Sequence, residues 1–117
     1  MLRIKLFAAV LFAAIVLAGC FGSGGERYVI GESKAYEASL YRQNCAICHG
    51  PEGDGKTLDG GTKVPSLREG DFKAKTANQI YDQIANGGNG MVGFRRQLSE
   101  REIRLLVDMV NRDLRGQ

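Results

Sequence analysis

The amino-acid sequence predicts an all-α fold of about three main helices joined by long loops. Three observations carry this expectation. Three segments place apolar residues at helical spacing beside start or stop signals. No segment makes a convincing strand. The middle, from Gly50 to Gly70, is punctuated by glycine and proline as a structured loop is.

The first helix is expected from about Ser33, as N-cap, into Cys48, with Tyr36, Leu40, Tyr41 and Ile47 among its apolar positions. The second starts at Thr76, where Gln79 three residues on completes a capping-box pattern. Ile80 and Ile84 share its apolar face, and Gly87 stands where a left-handed C-cap residue belongs. The third is the clearest. Ser99 and Glu102 form a capping box, and Leu98 with Ile103 supply a hydrophobic staple across it. Ile103, Leu106, Val107, Val110 and Leu114 then make one apolar stripe, with Met109 beside it as core. Arg101, Arg104, Asp108 and Arg112 lie elsewhere on that helix and read as its solvated face.

At 117 residues, one domain is the default. Its start is not domain-like. Arg3 and Lys5 precede an apolar run from Leu6 to Gly19, the pattern of a secretory signal, and shorter than the about 20 residues of a membrane span. The run ends in "LAGC", Leu17 to Cys20, which resembles a bacterial lipobox. That resemblance implies that Cys20 becomes the first mature residue and carries lipid, so that the exported chain is anchored to a bacterial membrane and faces the periplasm or the cell exterior. Residues 1–19 are then a lipoprotein signal peptide, 20–32 the lipidated cysteine and a flexible tether containing the glycine-rich "FGSGGER", and 33–117 the folded domain. Removing 1–19 leaves 98 residues and, by taking Arg3 and Lys5, lowers the formal charge from +3 to +1. So near-neutral a domain gives no case for nucleic acid.

Residues 45 to 57, "CAICHGPEGDGKT", satisfy two unrelated motifs. Gly50, Gly55, Lys56 and Thr57 match a phosphate loop. That chemistry needs a strand before the loop and a helix after it, so that amides at a helix start cradle the phosphates. Here a helical segment precedes, and "LDGGTKVPSL" follows, whose glycine pair and proline oppose a helix; no nucleotide is expected. Cys45, Cys48 and His49 match the attachment signal for a covalent haem. In a helix these are positions i, i+3 and i+4, on one face. Two thiols then reach one edge of a planar macrocycle while the imidazole reaches its iron. The only histidine in the chain is the one directly after C-x-x-C, and three cysteines find three uses, lipid on Cys20 and thioethers on Cys45 and Cys48. A thioredoxin-like dithiol would need a βαβ context. A zinc site would need a fourth ligand, for which no further histidine exists and no cysteine but Cys20.

"CAICHG", the later "VPSL", the helix ending "IANGG", the "GMVGF" segment and the final amphipathic helix together resemble a small, single-haem c-type cytochrome, over roughly Ser33 to Leu114. The resemblance implies a cytochrome c-like fold wrapped around one haem c, with the first and last helices crossing beside it. It implies that Met91, in a glycine loop after the middle helix, is the sixth iron ligand opposite His49, that the Pro65 carbonyl accepts the His49 Nδ1–H, and that Leu67 packs on the haem. Two positions depart from the family. Val92 stands where proline often follows the ligand methionine. Glu37 stands where a glycine often lets the end helices cross, so that either Ala38 beside it supplies the close approach or the crossing is wider.

The function implied is transfer of one electron between redox proteins, with no catalytic residue. Arg95 and Arg96 would orient an acidic partner, or form a solvated loop. Two alternatives stay open: a haem-based sensor or gas-binding module with a labile Met91, and an electron-entry subunit of a membrane oxidoreductase.

Overall fold

A computed structural model describes residues 25–117 of the chain. The signal segment, Cys20 and the first part of the expected tether, through residue 24, lie outside the described residues. Helix α1 spans Tyr36–Asn44, the short helix α2 Ala46–His49, α3 Ala77–Asn86 and α4 Glu100–Asp108, and α4 continues as a π-helical segment over Met109–Leu114. Strands β1 (Lys56–Thr57) and β2 (Lys63–Val64) form a minimal antiparallel ribbon, in which Lys56 faces Val64 and Thr57 faces Lys63. The predicted all-α class holds. The ribbon is too short to write a period-2 pattern into the sequence.

The capping boxes form as expected because they are local. Thr76 accepts from the Gln79 amide while the Gln79 side chain accepts from the Thr76 amide, and Ser99 and Glu102 do the same at α4. Gly87 closes α3 at φ 77°. The start of α1 differs from expectation. Its N-cap is Ala35, without a side-chain cap, and Ser33 lies two residues further out. There its hydroxyl accepts from Tyr28 Oη at 2.8 Å and from the Ala35 amide at 3.2 Å. The expected continuous first helix is also interrupted at Cys45, whose φ of −112° separates α1 from α2. Of its four apolar positions, Leu40 and Tyr41 are buried, whereas Tyr36 and Ile47 are exposed.

One core unites the fold. Ala38, Leu40 and Tyr41 of α1, Ile80, Ile84 and Ala85 of α3, Phe94 and Leu98 of the intervening loop, and Ile103, Leu106, Val107, Met109, Val110 and Leu114 of the last helix are all buried in it. Both α1 and α3 pack against α4. Ala38 is fully buried, so a small side chain sits where α1 meets α4, while its neighbour Glu37 lies 4.0 Å from Arg112. Met109 belongs to the core, as its place beside the stripe predicted.

The packed part of the chain begins before residue 33. Ile30, expected in the tether from its sequence neighbours, is 0 % exposed. Residues 27–33 form a strap laid across the loop after His49. Arg42 donates to the Ile30 carbonyl at 2.6 Å and to the Ser33 carbonyl at 3.0 Å, and the Glu52 carboxylate accepts from the Ile30 and Gly31 amides at 2.7 and 2.8 Å.

Candidate haem site

The attachment signal is one helical turn. The amides of Cys48 and His49 both donate to the Cys45 carbonyl, at 3.1 and 2.9 Å, and the Gly50 amide donates to Ala46 at 2.9 Å. This winding brings Cys45, Cys48 and His49 together as their spacing predicted. Gly50 ends the turn at φ 81°, and the Tyr41 hydroxyl, buried beneath, donates to its carbonyl at 2.9 Å. Both thiols are free, Cys45 half-buried and Cys48 exposed. Burial, then the neighbouring Cys48, pushes the Cys45 thiol up to about 12. A thiol so protonated is a poor thiolate nucleophile or redox dithiol. Among the described residues no cluster of histidine, cysteine and carboxylates could hold a bare metal ion.

The loop after this turn is built by glycines. Gly55 donates to the His49 carbonyl at 2.9 Å. At φ +78°, a Cβ there would stand 2.5 Å from the Val64 carbonyl oxygen and 2.8 Å from the Pro65 carbonyl carbon. Only glycine permits this contact. Leu67 donates to the Gly53 carbonyl at 2.8 Å and the Ser66 hydroxyl to the same oxygen at 3.4 Å. The residues that matched a phosphate loop therefore lace the His49 turn to the Pro65–Leu67 segment. A strand, not a helix, comes after Gly55, so no helix start is offered to a phosphate there.

His49 is half-buried, and its Nδ1 is fully buried without a partner of full hydrogen-bonding geometry. The Pro65 backbone is nonetheless close enough to act on it. Burial pulls the imidazole pKa below its ordinary value, and the Pro65 carbonyl partly opposes this. Burial thus keeps the His49 ring neutral at neutral pH, the form in which an imidazole ligates a metal. Leu67 is half-buried against the core.

Met91 comes from the other arm of the fold. It is half-buried against the same core, on a loop bent back onto the end of α3. Gly88 and Met91 exchange backbone hydrogen bonds of 2.8 and 2.9 Å, and the Phe94 and Arg95 amides donate to the Ile84 and Ala85 carbonyls. A Cβ on Gly93 would lie 2.7 Å from the backbone carbon of Asn86, and one on Gly87 2.5 Å from the Met91 carbonyl oxygen. Two glycines therefore set how closely the methionine loop hugs the helix. Val92, in place of the expected proline, is 68 % exposed, and Ile47, between the two cysteines, is 74 % exposed. Arg95 donates to the Asn86 side chain at 3.2 Å and leans over the Tyr81 ring.

These residues fit a covalently held haem: adjacent unpaired thiols, a neutral histidine with its second nitrogen turned inward, and a thioether presented from a rigid loop at the edge of the same core. Two shallow clefts elsewhere share no residue with the attachment turn, one along the outer face of α4 and one beside the end of α3. The chemistry of the donor set outweighs concavity here. Sequence reasoning missed Glu52 and Arg68, which brace this loop from outside; nothing in their spacing marks them.

Comparison with known proteins agrees. Residues 35–109 match the family model described as cytochrome C oxidase, cbb3-type, subunit III. Among solved structures, one described as KustC0563 c-type cytochrome is similar at 30 % identity and a TM-score of 0.54, over 62 % of this chain and 89 % of that one. No curated protein matches the chain.

Proposed function

From a chain that belongs to this family of small c-type cytochromes, we propose a single-haem electron carrier whose iron is held by His49 and Met91, tethered to a bacterial membrane by lipid on Cys20. The family supports haem-based electron transfer between redox partners and a covalently bound haem c; Cys45 and Cys48 of the C-x-x-C-H turn are the residues to hold it. The finer reading rests on one observation above the rest: the His49 ring directly after the two free cysteines is half-buried, and burial holds it neutral.

When bound, the haem supplies a one-electron iron couple. The protein's own work is to hold that couple still. Cys45 and Cys48 fix its edge covalently. Pro65 sets the ring direction of His49, and a carbonyl on Nδ1 raises the ligand's basicity. Met91 offers a soft thioether, which favours the reduced iron relative to a second nitrogen ligand. The glycine-locked loops on both sides change little when charge changes, so little reorganisation accompanies transfer. Electrons are expected to pass at the edge where Cys48 and Ile47 are exposed.

Intact mass and an absorption spectrum test the reading. The mature protein should carry the mass of one covalent haem and, when oxidised, the weak far-red band of sulfur–iron ligation. Met91→Ala should abolish that band, admit carbon monoxide to the reduced iron, and lower the potential on the order of 0.1 V, within the about 0.8 V that axial ligands span. A parent protein without the band that binds carbon monoxide rapidly would instead be a gas-binding module. A second reading, an electron-entry subunit of a membrane oxidoreductase, is favoured by the oxidase subunit named in the matching family. It predicts a stable complex that co-purifies in mild detergent, where a free shuttle would emerge alone.

A further inference from the structure

Arg68 is a charged side chain that is only 7 % exposed. A buried guanidinium must be matched by acceptors, and here the acceptors belong to two different segments. Its Nε donates to the Glu52 carbonyl at 2.5 Å, and its Nη2 donates to the Tyr28 carbonyl at 2.9 Å and to the Glu52 carboxylate at 3.4 Å. Glu52 in turn receives the Ile30 and Gly31 amides. Each of the two therefore holds the N-terminal strap and the histidine loop at once. Glu52 lies three residues after His49, and Arg68 three residues after Pro65. Inside this pair run the shorter rungs from Gly53 to Leu67 and Ser66. Asp54 adds a looser tie, 3.8 Å from Arg68 and 2.6 Å from Arg27; the Arg27–Asp54 pair is exposed, so water screens it and it contributes little.

From this lacing we infer that Glu52 and Arg68 are positioning residues for the redox centre: they clamp the strap onto the two loops that carry His49 and Pro65, and so couple strap attachment to the orientation of the axial histidine. The inference rests on His49 being the iron ligand. Its physical basis is that the loops carrying His49 and Pro65 are tied to each other by short backbone rungs, Gly55 to the His49 carbonyl at 2.9 Å and Leu67 to the Gly53 carbonyl at 2.8 Å, so the register between them depends on how firmly the strap presses them together. The Glu52 carboxylate and the Arg68 fork are charge-assisted bonds, the stronger class available for that task.

Coupling of this kind is reciprocal. If the strap influences the affinity of the iron for an electron, the electron influences the opening of the strap by the same factor. The test uses the full-length holoprotein. Covalent haem is first verified by mass, and histidine ligation by the spectrum of the reduced protein; failure at that stage removes the ligand assignment itself, and is distinct from failure of the coupling. Native-state hydrogen exchange is then measured at the Ile30 and Gly31 amides in the oxidised and the reduced states. Protection is expected to differ between the two states at these amides. Glu52→Gln and Arg68→Lys are then compared with the parent. Each should shift the reduction potential and the iron–histidine stretching frequency, and Glu52→Gln should lower protection at both amides about tenfold or more, the loss of one charge-assisted bond. Glu52→Asp, which keeps the charge, should recover part of each change. Equal strap protection in both oxidation states, or variants that lose thermal stability with an unchanged potential and stretching frequency, would overturn the coupling and leave a purely structural clamp. The oxidation-state comparison on the parent decides the matter even where a variant fails to fold.

Discussion

Gly93 has no side chain, and that absence holds the methionine loop in place. A Cβ there would press on the backbone of Asn86 and Ala85 at 2.7 to 2.9 Å. Backbone cannot swing aside as a flexible side chain does. Gly93→Ala is expected to cost about 1–3 kcal/mol by overpacking and to weaken the far-red sulfur–iron band, because the loop must lift off α3; thermal melts and the oxidised spectrum report the two effects separately. Gly55→Ala is the matching change on the histidine side. It adds strain at positive φ to a 2.5 Å clash with Val64. It should perturb the histidine's environment while leaving the sulfur–iron band intact. The C-x-x-C-H group was legible in the sequence because its chemistry is written in adjacent residues. Pro65, Leu67 and Met91 were legible only through resemblance, since nothing in their own spacing ties them to His49. Glu52 and Arg68 were not legible at all: their partners lie 16 to 40 residues away in sequence, and an exposed ion pair would look the same.

Helices show the opposite balance. The caps of α3 and α4 could be read because donor, acceptor and staple fall within a few residues. Ser33 was misplaced as a cap because the strap claims its hydroxyl first. The lower end of α4 unwinds into a π-helix, with the Arg115 amide donating to Val110 at 3.1 Å; its apolar stripe reads the same either way. The α4 cap carries a pH dependence. Hydrogen bonds from Tyr36 first, then from the Ser99 hydroxyl and amide, hold the Glu102 carboxyl down at about 2, against an ordinary 4.5. A depressed carboxyl stabilises the fold when ionised. Its contribution is present in full above pH 4.5 and is lost as pH falls toward 2. Melting temperature measured from about pH 6 to about pH 2 should therefore fall more steeply in the parent than in Glu102→Gln, which lacks this ionisation. Ser99→Ala at neutral pH should cost about 1 kcal/mol, or about 4–8 °C in a domain of this size.

At the scale of the whole molecule, the strap makes the N-terminal segment part of the redox domain. Ile30 is buried completely, and Ile30→Ala is expected to cost about 2–5 kcal/mol. A chain begun at Ser33 loses that side chain together with the amides that Glu52 receives, and should melt lower still, by scanning calorimetry of the haem-loaded forms. The sequence places this stretch in a tether because its neighbours are glycine, serine and charge. Burial of one isoleucine among them is decided by a surface assembled from distant residues, which no local pattern records.

The β-ribbon offers something of a different kind. Its tip carries Gly60 and Gly61, both at positive φ and with nothing within 4 Å of where a side chain would begin, and it is closed only by the Leu58–Thr62 and Gly61–Leu58 hydrogen bonds. Foreign residues spliced between these glycines would meet no core atom. The tip is thus a natural socket for a fluorophore, a spin label or a surface-binding peptide, through which this cytochrome could be wired to an electrode with its His49 and Met91 loops undisturbed.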